Sequence, residues 1–226
     1  MPACVPGGGV PPGMAGGRPE RVQMLVDLTD ASPRRAYHTM IQTIVPRPIA
    51  WVLSDNGDGG YNLAPFSYFN GVSSDPPLLM ISVGRKADGS PKDTWRNIDE
   101  RSHFVVHVAN RELLQPIVDS SAPLPHGESE LDMLGMATTP VAPFRLPRLV
   151  GPCVAMFCQR FAIHAIGDPG QGLILGRIQA VWLDDSIATE HDGRLTVDAT
   201  KLDPLARLGG NDYALFGSIQ SAKPTT

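Results

Sequence analysis

Apolar positions along the chain fall into short extended runs separated by turn residues at close, regular intervals. Residues 49–54 predict a strand. The Asp55-Asn56-Gly57-Asp58-Gly59-Gly60 run that follows tolerates positive φ and predicts a hairpin turn. A second extended stretch is predicted over 61–72, a turn at Ser74-Asp75-Pro76-Pro77, and a strand over 78–83. Another strand is predicted over 104–109. The two longest candidates, 154–165 and 173–183, are joined by the turn Gly167-Asp168-Pro169-Gly170. Asp184-Asp185 and His191-Asp192-Gly193 mark later turns. Helical spacing is rarer. Ser32-Pro33 starts a helix carrying Tyr37, Ile41 and Ile44, which Pro46 and Pro48 end. Ser90-Pro91 is predicted to cap a helix over 92–101, and Asn110 one that runs to Val118. A short helix is predicted near 130–134, stopped by Gly135. Strands therefore outnumber helices and cluster in hairpins, which favours an antiparallel barrel with helices at its corners over a doubly wound parallel sheet.

Composition sharpens this picture. Gly (23) and Pro (22) are well represented, as a fold of many turns requires. Much of that excess sits in residues 1–20, which are almost all small, Gly or Pro and cannot bury enough surface to offset ordering. The expected organisation is a disordered tail over 1–23 and one domain over 24–226, with Met14 and Met24 as alternative starts. The net charge of −4 gives no broad attraction to nucleic acid or to an acidic membrane. No apolar run is long enough to span a bilayer, and the N-terminus lacks the apolar core of a signal peptide. Of the three cysteines, Cys4 lies in the tail. Cys153 and Cys158 are five apart in a predicted strand and so point to opposite faces. Reduced thiols suit a cytoplasmic location.

Several chemistries have no motif here. The sequence contains no G-x-G-x-x-G, no phosphate-binding G-x-x-x-x-G-K-[ST] loop, no G-x-S-x-G elbow, no H-E-x-x-H and no paired C-x-x-C. His103 and His107 would share a face on a helix, but the Phe-Val-Val run nearby predicts a strand. There they stand roughly 13 Å apart, too far for one metal. His38, His126, His164 and His191 are scattered and are expected to be surface or core histidines.

Three segments do carry chemistry: Pro46-Arg47-Pro48-Ile49-Ala50-Trp51-Val52, Asn62-Leu63-Ala64-Pro65-Phe66-Ser67-Tyr68-Phe69, and Ser82-Val83-Gly84-Arg85 followed by Lys92-Asp93-Thr94. In the third, an Arg, a Lys and hydroxyls gather near a helix N-terminus. There free N–H groups favour an anion. The segment reads either as a phosphate cradle or as ordinary capping with solvated charges. In the second, Asn62 and Ser67 offer hydrogen bonds beside the small Ala64. That suits either the rim of a flat heterocycle or a plain hairpin crossing with a polar edge.

Taken together and in order, these segments, with SSDPPLLMISVG, KDTWRNI, HFVVHV, the SAPLP…ESELDMLGM stretch, LPRLVGPCVAMFC, LILGRI and LARLGGNDY, resemble the flavin reductase-like family of FMN-binding split barrels, in particular its flavoredoxin-like branch. The resemblance runs from about residue 30 to 215. It implies a mainly β fold, an antiparallel Greek-key split β-barrel with peripheral helices. The barrel is expected to form a homodimer, with FMN near the interface. By motif, the isoalloxazine is expected against Arg47, Ala50, Trp51, Val52, Asn62, Ala64 and Ser67, with Arg47 at the pyrimidine edge. The phosphate is expected at Ser82, Arg85, Lys92 and Thr94, and Arg207, Gly209 and Tyr213 match a C-terminal motif that closes over the flavin. The chain departs from many relatives at Phe157 and Trp182, where they carry Glu and His. The implied activity is hydride transfer from NADH or NADPH to flavin, with a flavin-dependent oxygenase or a redox protein as partner. The alternative is a flavoredoxin-like FMN electron carrier with little NAD(P)H turnover. A flavin-binding module without turnover and an oxidase with a private pocket lined by the 119–150 loop are further readings.

Overall fold

The computed structural model describes residues 23–222, apart from residues 58, 123, 126, 127 and 169. Met14, Cys4, Asp58, His126, Pro169 and nearly all of the predicted tail therefore lie outside the described residues. The chain divides into two compact units, residues 1–37 and 38–226. The first contributes a turn closed by the Ala31 N–H on the Leu28 carbonyl and then the start of α1 (Pro33–Thr43). That helix begins as Ser32-Pro33 predicts, with Ser32 Oγ accepting from the Arg35 N–H at 3.3 Å. Of its three predicted apolar positions only Ile41 is buried; Tyr37 and Ile44 are exposed.

The second unit is built on β-strands. The short β1 (Arg47–Pro48) leads into β2 (Ala50–Asp55), β3 (Tyr61–Phe66), β4 (Phe69–Ser74) and β5 (Pro77–Val83). Helix α2 (Asp93–Arg101) precedes β6 (His103–Val108). A 3₁₀ turn (Arg111–Leu113), α3 (Leu114–Asp119), α4 (Glu130–Met133), β7 (Thr138–Thr139) and β8 (Arg148–Leu149) follow. The long hairpin of β9 (Val154–Ile166) and β10 (Gln171–Leu183) comes next. The small hairpin of β11 (Ala188–His191) and β12 (Arg194–Val197), α5 (Ala199–Leu202), β13 (Ala206–Arg207) and β14 (Tyr213–Ala214) complete the chain. Seven strands form one antiparallel sheet in the order β3-β2-β6-β9-β10-β5-β4, and β1-β13-β14 form a separate small one. The fold is an antiparallel split barrel with peripheral helices.

The period of two in the strands sorts side chains into two cores. Ala50, Val52, Ile81, Phe104, Val106 and Ile174 face inward, and Trp95 and Ile98 of α2 seal them. Trp51, Leu53, Leu63, Val105 and Phe157 face the other way and are covered by Ile117 of α3, Leu131 of α4, Leu146 and Leu149.

Four sequence expectations need correction. The stretch over 61–72 is two strands, because β3 and β4 are opposite edges of the sheet. The chain passes between them through a bend at Ser67 and Tyr68. The helix predicted over 92–101 starts at Asp93 with Lys92 as N-cap and no side-chain cap bond; the Ser90 hydroxyl is held by Asp88 at 2.6 Å instead. Asn110 precedes a 3₁₀ turn and makes no side-chain cap bond. Cys153 lies just before β9 rather than on it, and both it and Cys158 are free thiols. Among the described residues no helix is long and apolar enough to cross a membrane.

His107 ties the sheet to the layer above it. Its Nε2 accepts the Leu149 N–H at 3.0 Å, so its Nδ1 carries the proton and donates to the Trp51 carbonyl at 3.2 Å. Burial holds its pKa down to about 3, against the Trp51 hydrogen bond and with a smaller push from Arg148. A depressed folded-state value means that the unfolded chain binds this proton first. The stability is full above the ordinary histidine pKa and is lost as pH falls from there toward 3. His107→Phe is expected to lose about 2–4 kcal/mol at pH 8 by stranding two backbone groups. Its melting temperature should fall less steeply than wild type between pH 6.5 and 4. Equal slopes in thermal melts of the two proteins would refute this account.

Candidate functional site

Strand β3 is a sheet edge, so one side of its backbone lacks a strand partner. Pro65 has no N–H to leave unpaired. At the other two outward positions the short α4 supplies partners: Ser129 Oγ donates to the Tyr61 carbonyl, and Glu130 Oε2 accepts the Leu63 N–H at 3.0 Å. Ser129 Oγ also accepts from the Asp132 N–H, capping α4, and Gly135 at φ +61 ends that turn. The result brings Glu130, only 7% exposed, to the lip of a cleft of about 360 Å³.

The opposite wall is the start of α2. Lys92 is its N-cap, with extended backbone and no capping side chain, so first-turn N–H groups remain for another acceptor. Trp95 fixes this end. It lies so close to β10 that a Cβ on Gly172 would stand 2.7 Å from its ring, and the Arg85 guanidinium lies 4.7 Å from its centroid. Arg85 also donates to the carbonyls of Gly170 (2.7 Å) and Gly89 (3.0 Å), and Lys86 pairs with Asp93 at 2.8 Å. Asn62 Nδ2 donates to Thr94 Oγ1 at 2.8 Å, joining β3 to α2 across the floor. Ser120, Ser121, Ala122 and Leu124 complete the cleft. Burial pushes the Glu130 carboxyl above its ordinary pKa. The N–H groups of Leu63 and Glu130 oppose the rise, Asp93 adds to it and Lys86 opposes it.

Of the residues singled out in the sequence, the cleft brings together Asn62, Ala64, Arg85, Lys92 and Thr94. Ala50, Trp51 and Val52 are fully buried in the strand behind β3, and Trp51 reaches the cleft wall only through its Nε1–H on Ser120 Oγ at 3.0 Å. Ser82 bonds Gln171 at 3.0 Å, and Ser67 accepts from Arg47 Nε at 3.3 Å. Arg207 lies 4.4 Å from the Tyr213 ring and donates to the Gly210 carbonyl. Gly209 packs against Gln42. Arg47, 5% exposed, spends its guanidinium on the carbonyls of Ile41 (2.9 Å), Ile44 (2.7 Å) and Leu208 (3.0 Å). It acts as a clamp between the end of α1 and the C-terminal segment. Sequence reasoning missed Lys86, Ser120, Ser121 and Glu130 as individual lining residues. Ser121 and Glu130 lie in the SAPLP…ESELDMLGM stretch that carries part of the family resemblance, but no site role was attached to it.

A flavin reductase like domain matches residues 42–204. The chain belongs to this family. It is 36% identical over 199 residues to an uncharacterized protein of Halalkalibacterium halodurans, covering 86% of this chain and 93% of that one. The structure of nitrilotriacetate monooxygenase component B from Bacillus cereus superposes with a TM-score of 0.81 at 30% identity, over 89% of this chain and 99% of that one. The Pseudomonas fluorescens 2-nitrobenzoate 2-nitroreductase gives a TM-score of 0.80 at 28% identity, over 89% and 97%. Members of the family bind FMN.

The cleft fits such a group. Its volume lies in the range of cofactor sites, one wall offers uncapped helical N–H groups for a phosphate, and Ala64 leaves room for a flat ring beside Asn62. Arg47 keeps a single N–H, on Nη2, beyond its bonds to Ser67, Ile41, Ile44 and Leu208. Arg47→Ala is expected to cost about 2–4 kcal/mol by orphaning three carbonyls. Amide exchange over 205–214 should quicken, while FMN affinity of the folded protein stays within about threefold of wild type. A tenfold affinity loss with unchanged melting would return Arg47 to the flavin.

Proposed function

We propose that this flavin reductase-family chain binds FMN in the cleft and passes a hydride to it from NADH or NADPH. The observation that carries the reading is the uncapped start of α2, with Lys92 and Thr94, facing Asn62 and Ala64 across one cleft. Bound FMN supplies the two-electron acceptor; the protein binds and orients. Lys92 and the first-turn N–H groups hold the phosphate, and Thr94, fixed by Asn62, sets their position. Lys86, paired with Asp93, braces the loop around them, and Arg85, bonded to carbonyls and to no carboxylate among the described residues, adds its charge to the phosphate site.

The likeness to a monooxygenase component B supports a further step in the same reading: reduced flavin serves a separate flavin-dependent oxygenase. A homodimer completes the proposal, with Arg207 and Tyr213 placed on the C-terminal segment that a second subunit would meet.

The test is an anaerobic visible spectrum with FMN added, before and after NADH or NADPH. Bleaching faster than free FMN supports the reductase, and the faster donor sets the preference. A perturbed flavin spectrum that neither donor bleaches would replace it with an electron carrier. Lys92→Ala combined with Thr94→Ala is expected to weaken FMN binding about tenfold or more, measured by flavin fluorescence. Wild-type affinity in that double variant would remove the phosphate from this wall.

A further inference from the structure

The cleft holds a carboxyl group that the proposed chemistry does not use. Glu130 is buried at the lip. Its Oε2 is engaged by the Leu63 N–H, and its neighbour Ser129 is bonded to the Tyr61 carbonyl. The charged groups around it are few. Lys86 and Asp93 face it from the loop and from α2, and they neutralise each other at 2.8 Å. Arg85, on the same wall, is spent on two carbonyls and on Trp95. Lys92, exposed, makes no ion pair among the described residues. Tyr61 adjoins Glu130 through β3, and Glu128 and Asp132 flank it on its own segment. Near Glu130, the described residues therefore offer an incoming anion two cations that no carboxylate pairs, the exposed Lys92 and the carbonyl-held Arg85.

We propose that Glu130 makes phosphate binding in this cleft proton-linked: the site takes a proton from solvent onto the Glu130 carboxylate when it binds the phosphate of FMN. A fixed carboxylate inside the same cleft as a phosphate repels it through a medium less screening than water, and neutralisation is its only escape. The raised affinity of this carboxyl for its proton, caused first by burial, acts in the same direction as the repulsion from an arriving phosphate. Flavin then binds more tightly as pH falls. The inference rests on the FMN reading and adds to it a residue that sets pH-dependent affinity.

The test measures binding, not turnover. FMN affinity is followed by fluorescence quenching from pH 7 to 9, above the second pKa of a phosphate monoester at about 6. Wild type is expected to weaken with rising pH, with a slope bounded by tenfold per pH unit for one proton. Glu130→Gln keeps an oxygen for the Leu63 N–H. It is expected to bind FMN with little pH dependence and about tenfold more tightly than wild type at pH 9. Riboflavin, which has the ring without the phosphate, should show no such difference between the two proteins. Should the variant fold poorly, calorimetry of wild type at pH 8 in two buffers of different ionisation enthalpy reads the proton directly, and uptake is expected. Equal pH slopes in wild type and a folded variant, or no proton uptake, overturn the Glu130 proposal while leaving FMN binding in place. Failure of FMN to bind either protein at any pH overturns the flavin reading and this one with it.

Discussion

A sheet that curls without closing leaves two edges, and backbone groups on an edge must find partners or face water. In this chain the β3 edge meets that constraint in three different ways at successive outward positions. A carbonyl takes the Ser129 hydroxyl, an N–H takes the Glu130 carboxylate, and Pro65 has no N–H at all. The consequence is architectural. Satisfying the edge from side chains rather than from an eighth strand leaves a gap where that strand would lie, and the gap is the cleft.

The rest of the molecule holds that gap open at a fixed width. The inward core draws α2 onto the sheet through Trp95 and Ile98, while Asn97 bonds Ser54 at 3.1 Å and Asn56 at 2.8 Å. The outward core holds α3 and α4 through Ile117 and Leu131, and His107 pins β8 to the same face. Asn62 and Thr94 then meet across the floor. Because β3 belongs to both cores, with Leu63 on one side and Phe66 on the other, displacement of either helix is transmitted to the cleft.

The strands and their hairpins were largely legible in the sequence because their signals are local. Turn residues at 55–60 and 74–77 bracket short apolar runs, and the apolar run along 104–109 is buried on both faces. What depends on the path of the sheet was not legible. The bend at Ser67 and Tyr68 carries no Gly or Pro and is required only because β3 and β4 end up on opposite edges. Ser90-Pro91 has the form of a helix cap, but Asp88 sits two residues upstream and competes for the hydroxyl. The site divides the same way. The helix start at Lys92-Asp93-Thr94 is a local feature, and the helix begins within one residue of its predicted start; Glu130 lies in a quoted motif, but its entry into the cleft, like that of Ser120, depends on tertiary contacts that no spacing announces. For Arg47 the motif was legible and the surroundings were not. A cation in a family motif invites assignment to the ligand, yet three carbonyls around it account for its burial.

The charges of the cleft are committed before any ligand arrives. Arg85 is held by two carbonyls and a ring, Lys86 by Asp93, and Glu130 opposes whatever field remains. An anion entering here meets oriented N–H groups, the exposed Lys92 and the carbonyl-held Arg85 rather than a dense positive surface. Oriented dipoles select for geometry, whereas unpaired charges mainly add affinity. On the FMN reading, such a site recognises a phosphate by position. On the reductase reading this is the useful balance: a flavin that must be released to a separate oxygenase after reduction gains nothing from a wall of free arginines. The same buried Glu130 that closes the sheet edge lowers the affinity of the cleft for anions, so the solution to the edge-strand problem and the tuning of the site are one feature of the fold.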